Sequence, residues 1–138
     1  MYIAINLNAP SEDLLKRVAR RILKDLGVDS WNIDSYCHHM TVCMGKREEF
    51  SFLLGKKARL IVTDFAINRD FGVAAFKVDE SEGAGFFTNN RTPHITAAVR
   101  EGNKPYFSNQ IKEESWKDLS NFNGICKIEL MGQIALNL

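Results

Sequence analysis

The apolar positions of the chain follow two periods, and the changes between them outline the elements. Tyr2 to Leu7 is apolar with β-branched Ile3 and Ile5, which predicts a first strand. Asn8-Ala9-Pro10-Ser11 turns the chain, with Ser11 expected as N-cap and Glu12 and Asp13 in the first helical turn, where carboxylates suit the macrodipole. Leu14, Leu15, Val18, Ala19, Ile22, Leu23 and Leu26 then follow helical spacing, and Gly27 is placed to end the helix. Lys16, Arg17, Arg20, Arg21 and Lys24 fill the opposite face, which reads as an ordinary solvated face rather than an RNA-binding one. A connection with Trp31 leads to a strand over residues 36–44, closed by Gly45. Lys46 to Leu54 suggests a loop and a short helix. Residues 57–67 and 71–78 read as a strand and its return, joined by a turn at Asn68-Arg69-Asp70. Residues 79–91 are polar, with Gly83 and Gly85, and suggest a loop. Thr92 to Val99 is again strand-like. A loop with Gly102 and Pro105 follows, then a short helix within residues 109–119, its apolar side Ile111, Trp116 and Leu119. A last strand over 126–136 has Gly132 as a bulge position.

Strands with interspersed helices in 138 residues predict a single α+β domain, residues 1–138, with helices packed outside antiparallel sheets. Composition agrees: 45% hydrophobic and 25% charged residues are ordinary for a globular chain. A net charge of +1 supplies no strong field for holding duplex nucleic acid, but leaves a small phosphorylated ligand or a strand end open. The N-terminal stretch lacks the charged and apolar regions of a signal peptide, and no stretch approaches the ~20 apolar residues of a membrane span. Cys37, Cys43 and Cys126 are odd in number and scattered, which points to reduced thiols and a cytoplasmic location.

Two of these strands begin alike. His39-Met40-Thr41-Val42 and His94-Ile95-Thr96-Ala97 both read His, apolar, Thr, apolar. Residues i and i+2 of a strand share a face, so each copy sets an imidazole beside a hydroxyl, with apolar groups behind. By the same parity His38 is expected to point away from that face. Two of the chain's three histidines begin the two copies, so the repeat is more than the frequency of Thr in strands provides. Two such strands side by side would suit phosphoester cleavage without a metal. One neutral imidazole removes a proton from the attacking oxygen, and one charged imidazole protonates the leaving oxygen. Thr41 and Thr96 would donate to the non-bridging phosphate oxygens.

Other chemistries are weaker. Cys37 and Cys43 are six apart, and adjacent His38 and His39 project oppositely in a strand, so a compact zinc site is not expected. A Cys37–His39 nucleophile pair can be drawn by parity, but no third partner or oxyanion hole supports it. Buried apolar cysteine is the commoner case.

The paired His-x-Thr motifs resemble those of the two-histidine (2H) phosphoesterase superfamily, including the LigT-like RNA phosphodiesterases. The opening Met1 to Leu7 followed by a helix resembles the LigT-like start. Thr92-Pro93-His94-Ile95-Thr96, continuing to Lys104-Pro105 and Ser108-Asn109, is similar to the cyclic phosphodiesterase domain of fungal tRNA ligases. His38 and the small Ala97 depart from the family pattern without touching its catalytic positions. The resemblance implies a bilobed α+β fold with pseudo-two-fold symmetry, a central cleft and outer helices. It implies His39 and His94 as the acid/base pair, Thr41 and Thr96 as phosphate holders, and no metal or other cofactor. The expected activity is hydrolysis of a 2′,3′-cyclic phosphate at an RNA end or on a nucleotide, as in RNA processing. The alternatives are cleavage of 2′,5′-linked or cyclic oligonucleotides used in immune signalling, and a nucleotide- or RNA-end-binding module without turnover. Lys104 and Tyr106, in the polar loop after the second motif, are expected to contact substrate. The expected partners are an RNA end, a nucleotide or an oligonucleotide, with no membrane, and the chain is expected to be a monomer.

Overall fold

A computed structural model of the chain describes residues 2–44, 48–79 and 92–137. Among them the elements are β1 (Tyr2–Leu7), α1 (Ala9–Asp25), β2 (His39–Met44), β3 (Lys57–Asn68), β4 (Val73–Asp79), β5 (His94–Val99), β6 (Lys117–Asp118) and β7 (Ile128–Asn137). Six strands form one antiparallel sheet in the order β2-β1-β7-β3-β4-β5, and the two-residue β6 pairs beside β3. The ends of this sheet curl toward each other. The Cys37 N–H donates to Thr96 O at 2.9 Å, and Asn32 and Val99 exchange backbone hydrogen bonds of 2.9 and 3.0 Å. The result is a nearly closed barrel.

The bilobed, pseudo-symmetric fold with outer helices is therefore not what the chain forms. The C-terminal strand β7 pairs with β1 on one side and with β3 on the other, so a single ladder runs through the molecule and no division separates two lobes. α1 is the one α-helix among the described residues. The expected helix within 109–119 is replaced by 3-10 turns at Pro105–Gln110 and Glu113–Ser115, because Ile111 and Trp116 adopt extended backbone that interrupts any longer helix. The helix expected after Gly45 is a 3-10 turn at Glu48–Leu53. Of the expected loop over 79–91, Asp79 instead ends β4, and the rest, like the closure at Gly45, lies outside the described residues.

The helix buries Leu15, Ala19, Ile22 and Leu23 in one core with Ile3, Ile5, Met40, Val42, Leu60, Phe65, Phe76 and Ile95 from the strands. Each fully buried large apolar side chain contributes roughly 1.5–3 kcal/mol before entropy is counted. The helix starts three residues earlier than expected. Asn8, not Ser11, caps it, its Oδ1 accepting from the Ser11 N–H at 3.0 Å. Ser11 is buried instead, and its Oγ accepts from the Met131 N–H at 2.9 Å, which ties α1 to β7. Gly27 does follow the helix end, with φ +75°. Gly132 is not a bulge: its pairings with Leu7 and Ala58 are in register. It is needed because a Cβ there would lie 2.5 Å from Asn6 O. The basic face of α1 is partly engaged, since Arg20 pairs with Asp34 and Lys16 Nζ donates to Asp34 O at 2.8 Å. Among the described residues no helix is long and apolar enough to cross a membrane.

Two irregularities shape the strands that carry the His/Thr motifs. Between β1 and β2, Ile3 pairs with Cys43 and Ala4 with Thr41, which leaves Val42 as an extra, bulged residue. Between β4 and β5, Ala74 pairs with Ala98 and Ala75 with Thr96, which leaves Ala97 bulged. The fourth residue of each motif is thus a bulge.

Candidate active site

β2 and β5 are the two ends of the sheet, so neither motif is hydrogen-bonded to the other within the ladder. Barrel curling brings them together. His39, Thr41, His94 and Thr96 all line one cleft of about 280 Å³. Tyr2, Tyr36 and His38 contribute from the N-terminal part of the chain, and Pro105, Tyr106, Ser108 and Asn109 from the 3-10 turn after β5. Up to each bulge the alternation holds: Met40, Val42, Ile95 and Ala97 are fully buried, while Thr41 and Thr96 are only partly so. Of the two loop residues expected to meet substrate, Tyr106 lines the cleft and is 57% exposed. Lys104 is exposed at the start of the turn and is not among the residues lining the cleft.

His94 is buried, with 7% exposure. Its Nδ1 lies 2.7 Å from Thr92 O, and a carbonyl only accepts, so Nδ1 carries the proton. Its Nε2 lies 3.1 Å from Ser108 Oγ, which in turn lies 2.9 Å from Thr96 Oγ1. Ser108, itself 4% exposed, therefore joins the imidazole and hydroxyl of the second motif. Burial pushes His94 below its ordinary pKa, against the backbone hydrogen bond to Thr92, which favours the charged ring.

His39 sits half-buried beside Tyr2, ring centroids 5.3 Å apart. Its Nδ1 lies 2.7 Å from Nδ1 of His38, whose Nε2 donates to Ser35 O at 2.8 Å. Burial first, then the neighbouring His38 and His94 rings, push His39 down to about 4. His94 acts on His39 electrostatically, so the two motif histidines share one field.

His38 lines the cleft, contrary to the parity expectation. The strand starts only at His39, and Cys37 before it has φ +63°, a left-handed residue that breaks the alternation. Cys37 is buried, its Sγ lies 3.4 Å from Ala97 O, and burial pushes its thiol up to about 12. It is a protonated packing group rather than a nucleophile. Among the described residues no group of three His, Cys, Asp or Glu side chains could hold a metal ion.

Sequence reasoning did not place Ser108, His38, Tyr2 or Tyr36 at the cleft, although Ser108 was among the residues that carry the family resemblance. Ser108 is brought under His94 by a turn whose path no local pattern announces. For His38 the adjacent motif was a signal, but strand parity assigned it to the wrong face. A second cavity of about 200 Å³ adjoins the cleft and shares His94, Ser108 and Asn109 with it. No protein-family model matches the chain, and no curated protein matches it in sequence.

Proposed function

We propose that the protein is a phosphodiesterase that hydrolyses a 2′,3′-cyclic phosphate, at an RNA end or on a nucleotide, by two-histidine acid/base catalysis without a metal. The observation that carries this reading is the convergence of both His/Thr pairs on one cleft, where the His94 ring lies near enough to help lower the proton affinity of His39. In the reaction one imidazole takes a proton from water as the water oxygen bonds to phosphorus. The bond to one ribose oxygen breaks, and the other imidazole gives that oxygen its proton. The product is a phosphomonoester. Each well-placed group is worth ~10² to 10⁴-fold in rate. Thr41 and Thr96 hold the non-bridging oxygens, and Ser108 orients the second pair. The resemblance of the motifs to 2H phosphoesterases supports the substrate class, and it rests on the motifs rather than on the fold.

A second reading has the same chemistry acting on a 2′,5′-linked or cyclic oligonucleotide. The cavity adjoining His94 favours it, because it offers room on the far side of a phosphate held at that histidine. The three free cysteines support a reducing, cytoplasmic setting.

The test is incubation with a panel of phosphodiesters in EDTA, read by mass spectrometry. The panel holds 2′,3′-cyclic mononucleotides, RNA with a 2′,3′-cyclic end, 2′,5′-linked oligoadenylate and cyclic oligonucleotides. Turnover of a cyclic phosphate to a monoester is expected. Cleavage confined to the oligonucleotides selects the second reading, and turnover that EDTA abolishes and a divalent cation restores rejects the metal-free mechanism.

A further inference from the structure

Among the described residues, the partner of His39 Nδ1 is another imidazole rather than a carboxylate or a carbonyl. Proton counting fixes what that contact means. Ser35 O only accepts, so the proton of a neutral His38 is on Nε2 and its Nδ1 is a lone pair. The 2.7 Å contact between the two Nδ1 atoms holds one hydrogen, which must then belong to His39. His39 Nε2 is left as the unprotonated nitrogen of that ring. His94 is held differently: its Nδ1–H is fixed on Thr92 O, an acceptor that stays favourable when the ring is charged.

We propose that His38 is a positioning residue that locks His39 in the Nδ1–H tautomer, so that His39 serves as the base of the reaction and His94 as the acid. The inference rests on the function proposed above, and it adds a role to a residue outside both motifs. An imidazole in this position accepts the His39 proton without contributing negative charge, so it sets the tautomer while leaving the ring neutral. The Nδ1–H bond also persists when His39 takes a proton on Nε2, so the ring keeps its orientation through the transfer. Among the described residues, the titratable groups facing the His38–His39 pair are His94, Tyr2 and Tyr36, none of them a carboxylate.

Two measurements test it on the full chain. In ¹⁵N-resolved NMR at pH 7, His39 should show protonated Nδ1 and bare Nε2, and His38 the reverse. His38→Ala should mix the His39 tautomers, while His38→Asn, whose Oδ1 replaces the accepting Nδ1, should keep Nδ1–H. In kinetics on a 2′,3′-cyclic mononucleotide, His38→Ala should lower kcat roughly 10- to 10³-fold with KM little changed. The acid limb of its kcat/KM profile should move from near 4 toward 6.5, as the ring gains solvent and loses a neighbour. His38→Asn should recover most of kcat. A His39 ring protonated on Nε2 in the wild type, or a His38→Ala enzyme with unchanged kcat and profile, overturns the proposal. A wild type that turns over no phosphodiester rejects the proposed function instead, and the NMR result alone then decides whether His38 sets the tautomer.

Discussion

Burial and the neighbouring imidazoles push His39 down to about 4, and burial pushes His94 below its ordinary value of 6.5, so both rings are neutral at pH 7 in the free protein. An acid/base pair needs one of them charged. In the proposed reaction, the anionic phosphate of the substrate would supply the field that favours a proton on the acid. The bell-shaped kcat/KM profile, which reports the free enzyme, should therefore peak on the acid side of pH 6.5. The kcat profile, which reports the complex, should be displaced to higher pH. A kcat/KM maximum at pH 8 would contradict the assignment. His39→Ala and His94→Ala should each lower kcat by ~10² to 10⁴-fold with the fold intact by circular dichroism. The double variant should cost less than the product of the two, because the rings act as a unit. Thr41→Ala and Thr96→Ala should weaken both kcat and substrate affinity.

At the scale of elements, the bulges at Val42 and Ala97 and the left-handed Cys37 aim the motif side chains. The strands themselves were readable: β1, β3 and β7 fall within two residues of where alternation put them. The second helix was not, because Ile111, Trp116 and Leu119 have helical spacing by chance. Trp116 packs instead with Ala66 and Ala75 on the sheet. Gly132 gives a stability test. Its Cβ position would fall 2.5 Å from Asn6 O and 2.8 Å from Ile5 Cγ2, against backbone and a core side chain that have nowhere to go. Gly132→Ala should cost about 1–3 kcal/mol, read as a lower denaturant midpoint with unchanged slope. A midpoint equal to wild type would mean the β1–β7 approach is looser than described.

For the whole molecule, barrel closure is the step that makes a site, since the two motifs sit on the far ends of the sheet and meet only when it curls. The perturbed histidine then links folding to pH. The unfolded chain binds a proton on His39 below about 6.5, whereas the folded protein binds it only near 4. Between those values the unfolded state carries more protons, so stability falls as pH drops from 6.5 toward 4. Carboxylates add their own slopes, and the difference between wild type and His39→Gln isolates this one. Over that interval the wild-type Tm should fall more steeply than that of the variant. Parallel curves would show that the ring is not desolvated in the folded state.

The sequence by itself determined most of the strands, the amphipathic helix α1 and the pairing of His with Thr on one face of each motif strand. These follow from local periodicity, which the backbone obeys whatever its neighbours do. Tertiary structure alone decided the rest. Whether the strands make two lobes or one barrel depends on β7 pairing with both β1 and β3, a choice between partners distant in the chain that no local pattern encodes. Ser108 reaches His94 because a 3-10 turn folds back over β5, and His38 enters the cleft because a single left-handed residue precedes the strand. The depressed proton affinity of His39 likewise exists only once burial and the other two imidazoles surround it.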